Sequence, residues 1–351
     1  MATHYLYGTV LTGEAVAANN RGDNIGNTTT LQKVFHQDDL HTSVSGEAIR
    51  FALRYRFQLE HMDTNRTYHL NSGGQSFIEF IDDRWADWSP DGDVFVDDDL
   101  LGFMNPEAAK VEREPQVEAA GDEQPKASPK AKAKKPKGKV FTRQSPLAVG
   151  RAVSLRPYRG ELSFNAAVRK EGEKKSKTTD EEGAEGATGL SLYNAEMHTT
   201  EYQYSFGLNL DDVIKKENIG HLIDAIFDPP QVGGNHARFA YDFSPASIVL
   251  RVTSAHSSRI QNCFEHDDET RGYHVNRLVS RVKNNDIPAK ELIIGGELSS
   301  SDEGANLKDL GASVYPGVRA ALNEAKRRIA DLDESFKTID SHTNGKKQSK
   351  R

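Results

Sequence analysis

The chain alternates first. His4 to Leu11 sets tyrosines and β-branched residues at the two-residue period of a strand. Gly13 to Thr30, GEAVAANNRGDNIGNTTT, has no apolar period and predicts a long loop. His41 to Phe57 reads HTSVSGEAIRFALRYRF, with Ile49, Ala52, Leu53 and Phe57 at helical spacing. Ser43 or Ser45 can cap that helix, and Glu47 suits its first turn. Arg50 and Arg54 then share its other face. Leu147 to Leu155 predicts a strand, and Tyr202, Tyr204, Phe206, Leu208 and Leu210 alternate as a half-buried one. A helix is expected over roughly Asp211 to Phe227, then short strands at Ala237–Phe243 and Ser247–Thr253. Val318, Leu322, Ala325, Ile329, Leu332 and Phe336 recur every three or four residues, the mark of a packing helix.

Two stretches break this order. Residues 105–139 are full of Pro, Lys and Glu and hold almost no large apolar side chain. Residues 169–189 are similar. Neither can bury enough surface to fold, so both are expected to be disordered inserts. The order of elements fits an α+β fold, a ferredoxin-like or RRM-like core with large insertions. That class often hosts single-stranded RNA binding, although a fold alone gives no function. The expected division is a core over 1–255, an extension with a packing helix over 256–340, and a flexible basic tail over 341–351.

Charge changes the picture little. The 351 residues carry a formal net charge of −7, which argues against a nonspecific polyanion binder. A local basic strip stays open, because acids gather at Asp97–Asp99, Asp180–Glu182 and Asp267–Glu269. The window Thr42 to Gln58 instead sets Arg50, Arg54 and Arg56 against Glu47 alone. The lone Cys263 cannot form an internal disulfide or a cysteine-rich metal site, and fits a reducing, cytoplasmic setting. No run reaches the ~20 apolar residues of a membrane span, and the N-terminus lacks a secretory pattern.

Catalytic motifs are not evident. There is no HExxH, no Walker loop and no Cys/His metal spacing, so neither a metal nor a cofactor is expected. Asp38-Asp39 reads as a metal-binding pair or, more simply, as a solvated acidic turn. A polar and basic set is more suggestive: Asn19, Asn20 and Arg21 in the first loop, Lys33, then Ser43 and Ser45 at a helix start. Free N–H groups there attract phosphate, and Arg50 and Arg54 add a bidentate-capable face. On spacing alone, an ordinary capped helix with solvated arginines reads as well.

HTSVSGEAIRFALRYRF resembles the signature of type I CRISPR backbone subunits, especially the DevR-type subunit of type I-B systems. Further pieces follow in the family's order: the NNRGD loop, DDDLLGFM, RQSPLAVGRAVSL, NAEMHTTEYQYSFGLNLDDV and GGNHARFAYDFSPASIVLRV. The resemblance spans roughly residues 4–255; the insert at 105–139 departs from it in length. It implies an RRM-like palm with inserted fingers and a thumb hairpin, here 157–197 with its tip at 169–189. It implies a non-catalytic Cascade subunit. Copies would stack head to tail on the spacer part of a guide RNA (crRNA), gripping its backbone and presenting it to target DNA beside other Cascade subunits.

By matching position, Asn19, Asn20, Arg21, Lys33, Ser43, Ser45, Arg50 and Arg54 would touch phosphate and sugar, and Met104 would pack near a base. Arg143, Arg151, Arg156 and Arg159 would line the approach to the thumb, with His236 and Arg238 in the Gly-Gly-Asn loop. Leu162, Phe164, Leu192 and Tyr193 would wedge against a base step. Two rivals stand beside this. One is a type III-like subunit that cuts target RNA with a metal at Asp38 or Asp39. The other is a stand-alone regulatory RNA-binding protein.

Overall fold

The computed structural model describes residues 3–19, 21–36, 38–70, 76–81, 94–105, 141–168, 190–234, 241–267, 269 and 272–332. Asn20, His236, Arg238, the stretches 106–139 and 169–189 and the tail 341–351 lie outside these residues. The strands are β1 (Tyr5–Thr12), β2 (Ala15–Ala17), β3 (Arg21–Ile25), β4 (Thr28–Leu31), β5 (Lys33–His36), β6 (Asp39–Val44), β7 (Arg66–Leu70), β8 (Ser76–Phe80), β9 (Phe103–Asn105), β10 (Phe141–Arg143), β11 (Leu147–Val149), β12 (Ala152–Ser154), β13 (Glu161–Val168), β14 (Leu190–Thr200), β15 (Tyr202–Asn209), β16 (Pro245–Thr253), β17 (Glu265–Asp267), β18 (Gly272–His274), β19 (Leu292–Gly296) and β20 (Ser313–Tyr315). The helices are α1 (Gly46–Leu59), α2 (Val96–Leu101), α3 (Glu217–Phe227), α4 (Asn276–Lys283), α5 (Asp302–Asp309) and α6, described over 318–332.

A nine-stranded sheet runs β20-β19-β16-β1-β15-β12-β6-β5, with β11 also on β15. β1 lies at its centre, antiparallel to β15 and to β16. Its alternation sorts side chains to two faces. Leu6 and Val10 join Ile49, Leu53 and Phe57 of α1 and Leu222 and Ile223 of α3 in one core. Leu11, on the other face, joins Val249, Ile260, Phe264 and Leu278 in a second. Gly8 lets the strands close up, since a Cβ there would lie 2.3 Å from the Phe206 ring.

The stretch past 255 is integral to this sheet. β19 pairs β16, β20 pairs β19, and Ala321, Leu322 and Ala325 of α6 enter the same core as Leu6. Ile260, Phe264, Val275 and Leu278 cover the sheet face opposite α1 and α3, so that face is not an open platform.

Two expectations change and one is sharpened. The predicted loop at 13–30 contains β2, β3 and β4, which join β13 and β14 in a separate five-stranded sheet. Gly26, at φ +59°, makes the β3–β4 turn. Of the two caps offered in the 41–57 segment, Ser45 is the one used: residues up to Val44 belong to strand β6, and α1 starts at Gly46. The strand expected over 147–155 breaks at Gly150 and Arg151 into β11 and β12.

Candidate nucleic-acid interface

α1 begins where β6 ends. Ser45 caps it, its Oγ accepting from the Ala48 N–H at 3.2 Å. Gly46 seats the helix start on β11, because a Cβ there would lie 2.5 Å from the Val149 carbonyl oxygen. Ser43 is buried, and its Oγ accepts from Arg151 Nη1 at 3.2 Å. Arg151 also reaches Gln32 Oε1 at 3.4 Å and is itself exposed. Arg159 lies at the other end of β6, with its side chain 73 % exposed and 3.8 Å from the Asp39 carboxylate. Ser43, Ser45, Arg151 and Arg159 therefore line one strand leading into one helix start.

The other basic positions are more committed. Lys33 pairs with Glu196 and lies 4.8 Å from the Tyr158 ring centroid. Arg156 grips Glu14 at 2.6 and 2.8 Å and Glu201 at 3.0 Å. Arg143 bonds Asp99 Oδ1 at 3.0 Å and the Asp212 carbonyl at 2.8 Å. Arg50 donates to Ser145 Oγ and to the carbonyls of Leu147 and Leu101. Arg54 donates to the Leu101 carbonyl at 3.3 Å, and burial lowers its pKa to about 10. The expected solvated arginine face is thus a set of internal ties between α1 and the segment after α2. Asn19 is buried and donates to the Val232 carbonyl at 2.6 Å, an anchor for its loop. Arg21 is exposed on β3, apart from the helix start. Met104 is exposed on β9.

The acidic run is also internal. Asp97, Asp98 and Asp99 are fully buried. Asp97 accepts from the backbone N–H groups of Asn65 and Arg66. Asp99 accepts from those of Ile214 and Lys215 and from Asn218 Nδ2, fixing the start of α3. Three adjacent aspartates would ordinarily be solvated; here Asp97 and Asp99 each find several donors, and Asp98 accepts from Asn65 Nδ2 at 2.7 Å.

β13 and β14 form the predicted hairpin, and β14 continues onto β4 in parallel and onto β2. Register puts Leu162, Phe164 and Leu192 on one face, with Ala166 opposite Leu192. All three are exposed, Phe164 by 71 %. Tyr193 pairs with Asn165 and so faces the other side, which separates it from the three expected beside it. Sequence reading missed Ile25. It is 72 % exposed and lies across from Thr28, whose β14 partner Asn194 pairs with Phe164. The signal was present as Gly26-Asn27 between Ile25 and the β-branched run Thr28–Thr30.

Two histidines sit at the hairpin root. His198 is buried with Nδ1 2.8 Å from Thr42 Oγ1, and burial pushes its pKa from 6.5 down to about 4. His41 is shifted in the same direction by burial. A folded-state pKa below the unfolded value means stability is full above pH 6.5 and is lost as pH falls towards 4. Urea titrations should show it dropping by up to ~1.4 kcal/mol per pH unit in that window. His198→Gln should flatten the slope there; an unchanged slope would refute this.

Together these features define an α+β protein with an exposed arginine strip at a helix start and a hairpin-bearing side sheet. The chain belongs to the family described as "CRISPR-associated negative auto-regulator DevR/Csa2", which matches residues 10–332. It is 35 % identical over 327 residues to the "CRISPR-associated protein Cas7/Cst2/DevR" of Myxococcus xanthus (strain DK1622), covering 93 % of this chain and 97 % of that one. Its fold is similar to a chain of a "CRISPR RNA-guided surveillance complex, pre-nicking", with TM-score 0.55 and 12 % identity over 93 % of this chain and all of the other. A chain of a "CRISPR RNA-guided surveillance complex" gives TM-score 0.51 and 12 % identity, over 92 % and 99 %.

Proposed function

We propose that this chain is the backbone subunit of a type I RNA-guided complex, binding the spacer part of a guide RNA through its phosphates and assembling in several copies. Family membership supports the assignment, and one observation carries the site: the strip of exposed Arg159 and Arg151 along β6, with buried Ser43 holding Arg151, into the Ser45-capped start of α1. Its arginines are exposed, Arg159 meeting Asp39 only at 3.8 Å, whereas Lys33, Arg143 and Arg156 are held against carboxylates at 3.0 Å or closer. A helix start plus guanidinium groups suits phosphate and reads no base, which fits a guide of any sequence.

The palm reading is supported by strand order. β16-β1-β15-β12 with α1 and α3 follows the βαββαβ order of a ferredoxin-like or RRM-like core. With the far sheet face covered, RNA would run along the helix-start edge. β13 and β14 would be the thumb, crossing the guide held by the next copy. Other Cascade subunits, and target DNA through the guide, complete the partners.

The subunit would hold RNA without cutting it. Asp38 occupies a turn at φ +68°, a conformation that aspartate adopts in turns, and Asp39 faces Arg159. Complementary RNA should stay intact in magnesium or manganese. Cleavage that vanishes in Asp38→Ala or Asp39→Ala would favour the type III reading.

The strip is tested by Arg151→Glu with Arg159→Glu, both at exposed positions. Filter binding in graded salt should show weaker guide binding and a slope smaller by about 0.7 for each phosphate no longer neutralised. An unchanged affinity and slope would remove the strip from the site.

A further inference from the structure

The β13–β14 hairpin belongs to the five-stranded side sheet, while β6 and β5 end the nine-stranded one. Something must fix the angle between them. Alternation along β14 puts Glu196, His198 and Thr200 on one face, and each meets the body of the protein. Thr200 Oγ1 accepts from the Arg156 N–H at 3.3 Å, and His198 Nδ1 lies 2.8 Å from Thr42 Oγ1 of β6. Glu196 pairs with Lys33 of β5 and is the outermost of these three ties. Register carries the same face outward to Leu162, Phe164 and Leu192, which are exposed.

The Glu196 carboxylate joins both sheets. Its Oε2 also accepts from the Leu31 N–H at 2.7 Å, at the end of β4. Tyr158, in the link from β12 to β13, closes the corner. Its N–H donates to the Leu40 carbonyl of β6 at 2.6 Å, and the Lys33 ammonium lies 4.8 Å from its ring centroid. Burial and the Glu196 carboxylate push the Tyr158 phenol upward. The Lys33 and Glu196 side chains are only 19 % and 15 % exposed, and a pair so shielded is weakly screened by salt. It spans the junction of two sheets, so it constrains an angle and leaves strand register to the backbone.

We propose that Lys33 and Glu196 are positioning residues that fix the angle of the β13–β14 hairpin to the nine-stranded sheet, and through it the spacing of successive copies on RNA. The spacing clause rests on the reading of this hairpin as the thumb; the angle clause does not.

Lys33→Met removes the tie between the sheets and leaves the Glu196–Leu31 bond inside the side sheet. Lys33→Arg should restore the tie. Spin labels on Ala166→Cys of β13 and Ala305→Cys of α5, both exposed positions, read the angle in the free chain. The native Cys263 is buried and stays unlabelled. Pulsed electron paramagnetic resonance should give one narrow distance for the parent. Lys33→Met should broaden or displace it, and Lys33→Arg should return it. On a long guide, electron microscopy should show Lys33→Met losing regular spacing, while affinity for a short RNA that holds one copy, and its salt slope, stay parental. An unchanged distance in Lys33→Met, or a shift that Lys33→Arg does not reverse, would overturn the proposal. So would weaker short-RNA binding with a smaller salt slope at an unchanged distance, which would make Lys33 a phosphate contact. A displaced distance beside a parent that forms no regular particle would overturn the spacing clause alone, and with it the thumb reading.

Discussion

Replacing Asp99 by alanine should destabilise the fold by about 3–5 kcal/mol, the usual effect of removing one partner from a buried ion pair. Asp99 is fully buried and bonds the Arg143 guanidinium at 3.0 Å. It also accepts from Ile214 N–H at 2.9 Å, Lys215 N–H at 3.0 Å and Asn218 Nδ2 at 2.9 Å. Alanine would strand those donors together with a largely buried cation. Asp99→Ala would therefore loosen α2, β10 and the start of α3 at once, since this carboxylate is their shared acceptor. Urea unfolding followed by circular dichroism measures it. Asp99→Asn should fall between parent and alanine. A loss below ~1 kcal/mol would mean that water or a neighbour replaces the carboxylate, and that the acidic run is less structural than described.

Shortening the β13–β14 hairpin should leave a folded chain that no longer forms ordered assemblies on RNA. The cut matters. Asn194 and Ala195 pair with Thr28 and Thr29, and His198 to Thr200 pair with β2, so these must stay. Replacing 164–192 by a short Gly-Ser link removes Phe164 and Leu192 while keeping those pairings. A finer version is Phe164→Asp with Leu192→Asp. Both sites are exposed, so the fold should hold. Assembly should weaken roughly 30-fold if these side chains act as contact anchors worth ~2 kcal/mol. Electron microscopy of the parent on a long guide should show a regular particle and the shortened chain should not. Regular particles from the shortened chain would remove the hairpin from assembly.

The sequence was most legible where a period had room to repeat. β1, β15, α3 and α6 carry four or more apolar positions in register and were each found, although α3 starts at Glu217, six residues after the expected Asp211. It was least legible where partners are distant. Residues 13–30 have weak local preference, yet β4 pairs β14 more than 160 residues away. Val44 ends a strand and Gly46 starts a helix, a break that Ser45 marks only through its cap. The arginines show the same limit. Spacing placed Arg50 and Arg54 on one face, but not that the Leu101 and Leu147 carbonyls lie against it. A pair of charge reversals there should damage the fold along with any binding, so Arg151 and Arg159 are the cleaner probes. The burial of Asp97–Asp99 was not legible either, because composition cannot show the amides that hold these acids inside.

The central claim is that many copies share one guide. Native mass spectrometry of the chain on RNAs of increasing length measures it directly. The account predicts that bound copies rise stepwise, one for each fixed increment of RNA, irrespective of sequence. A single copy or a fixed number on every length, or binding confined to one sequence, would contradict it and favour a stand-alone regulator.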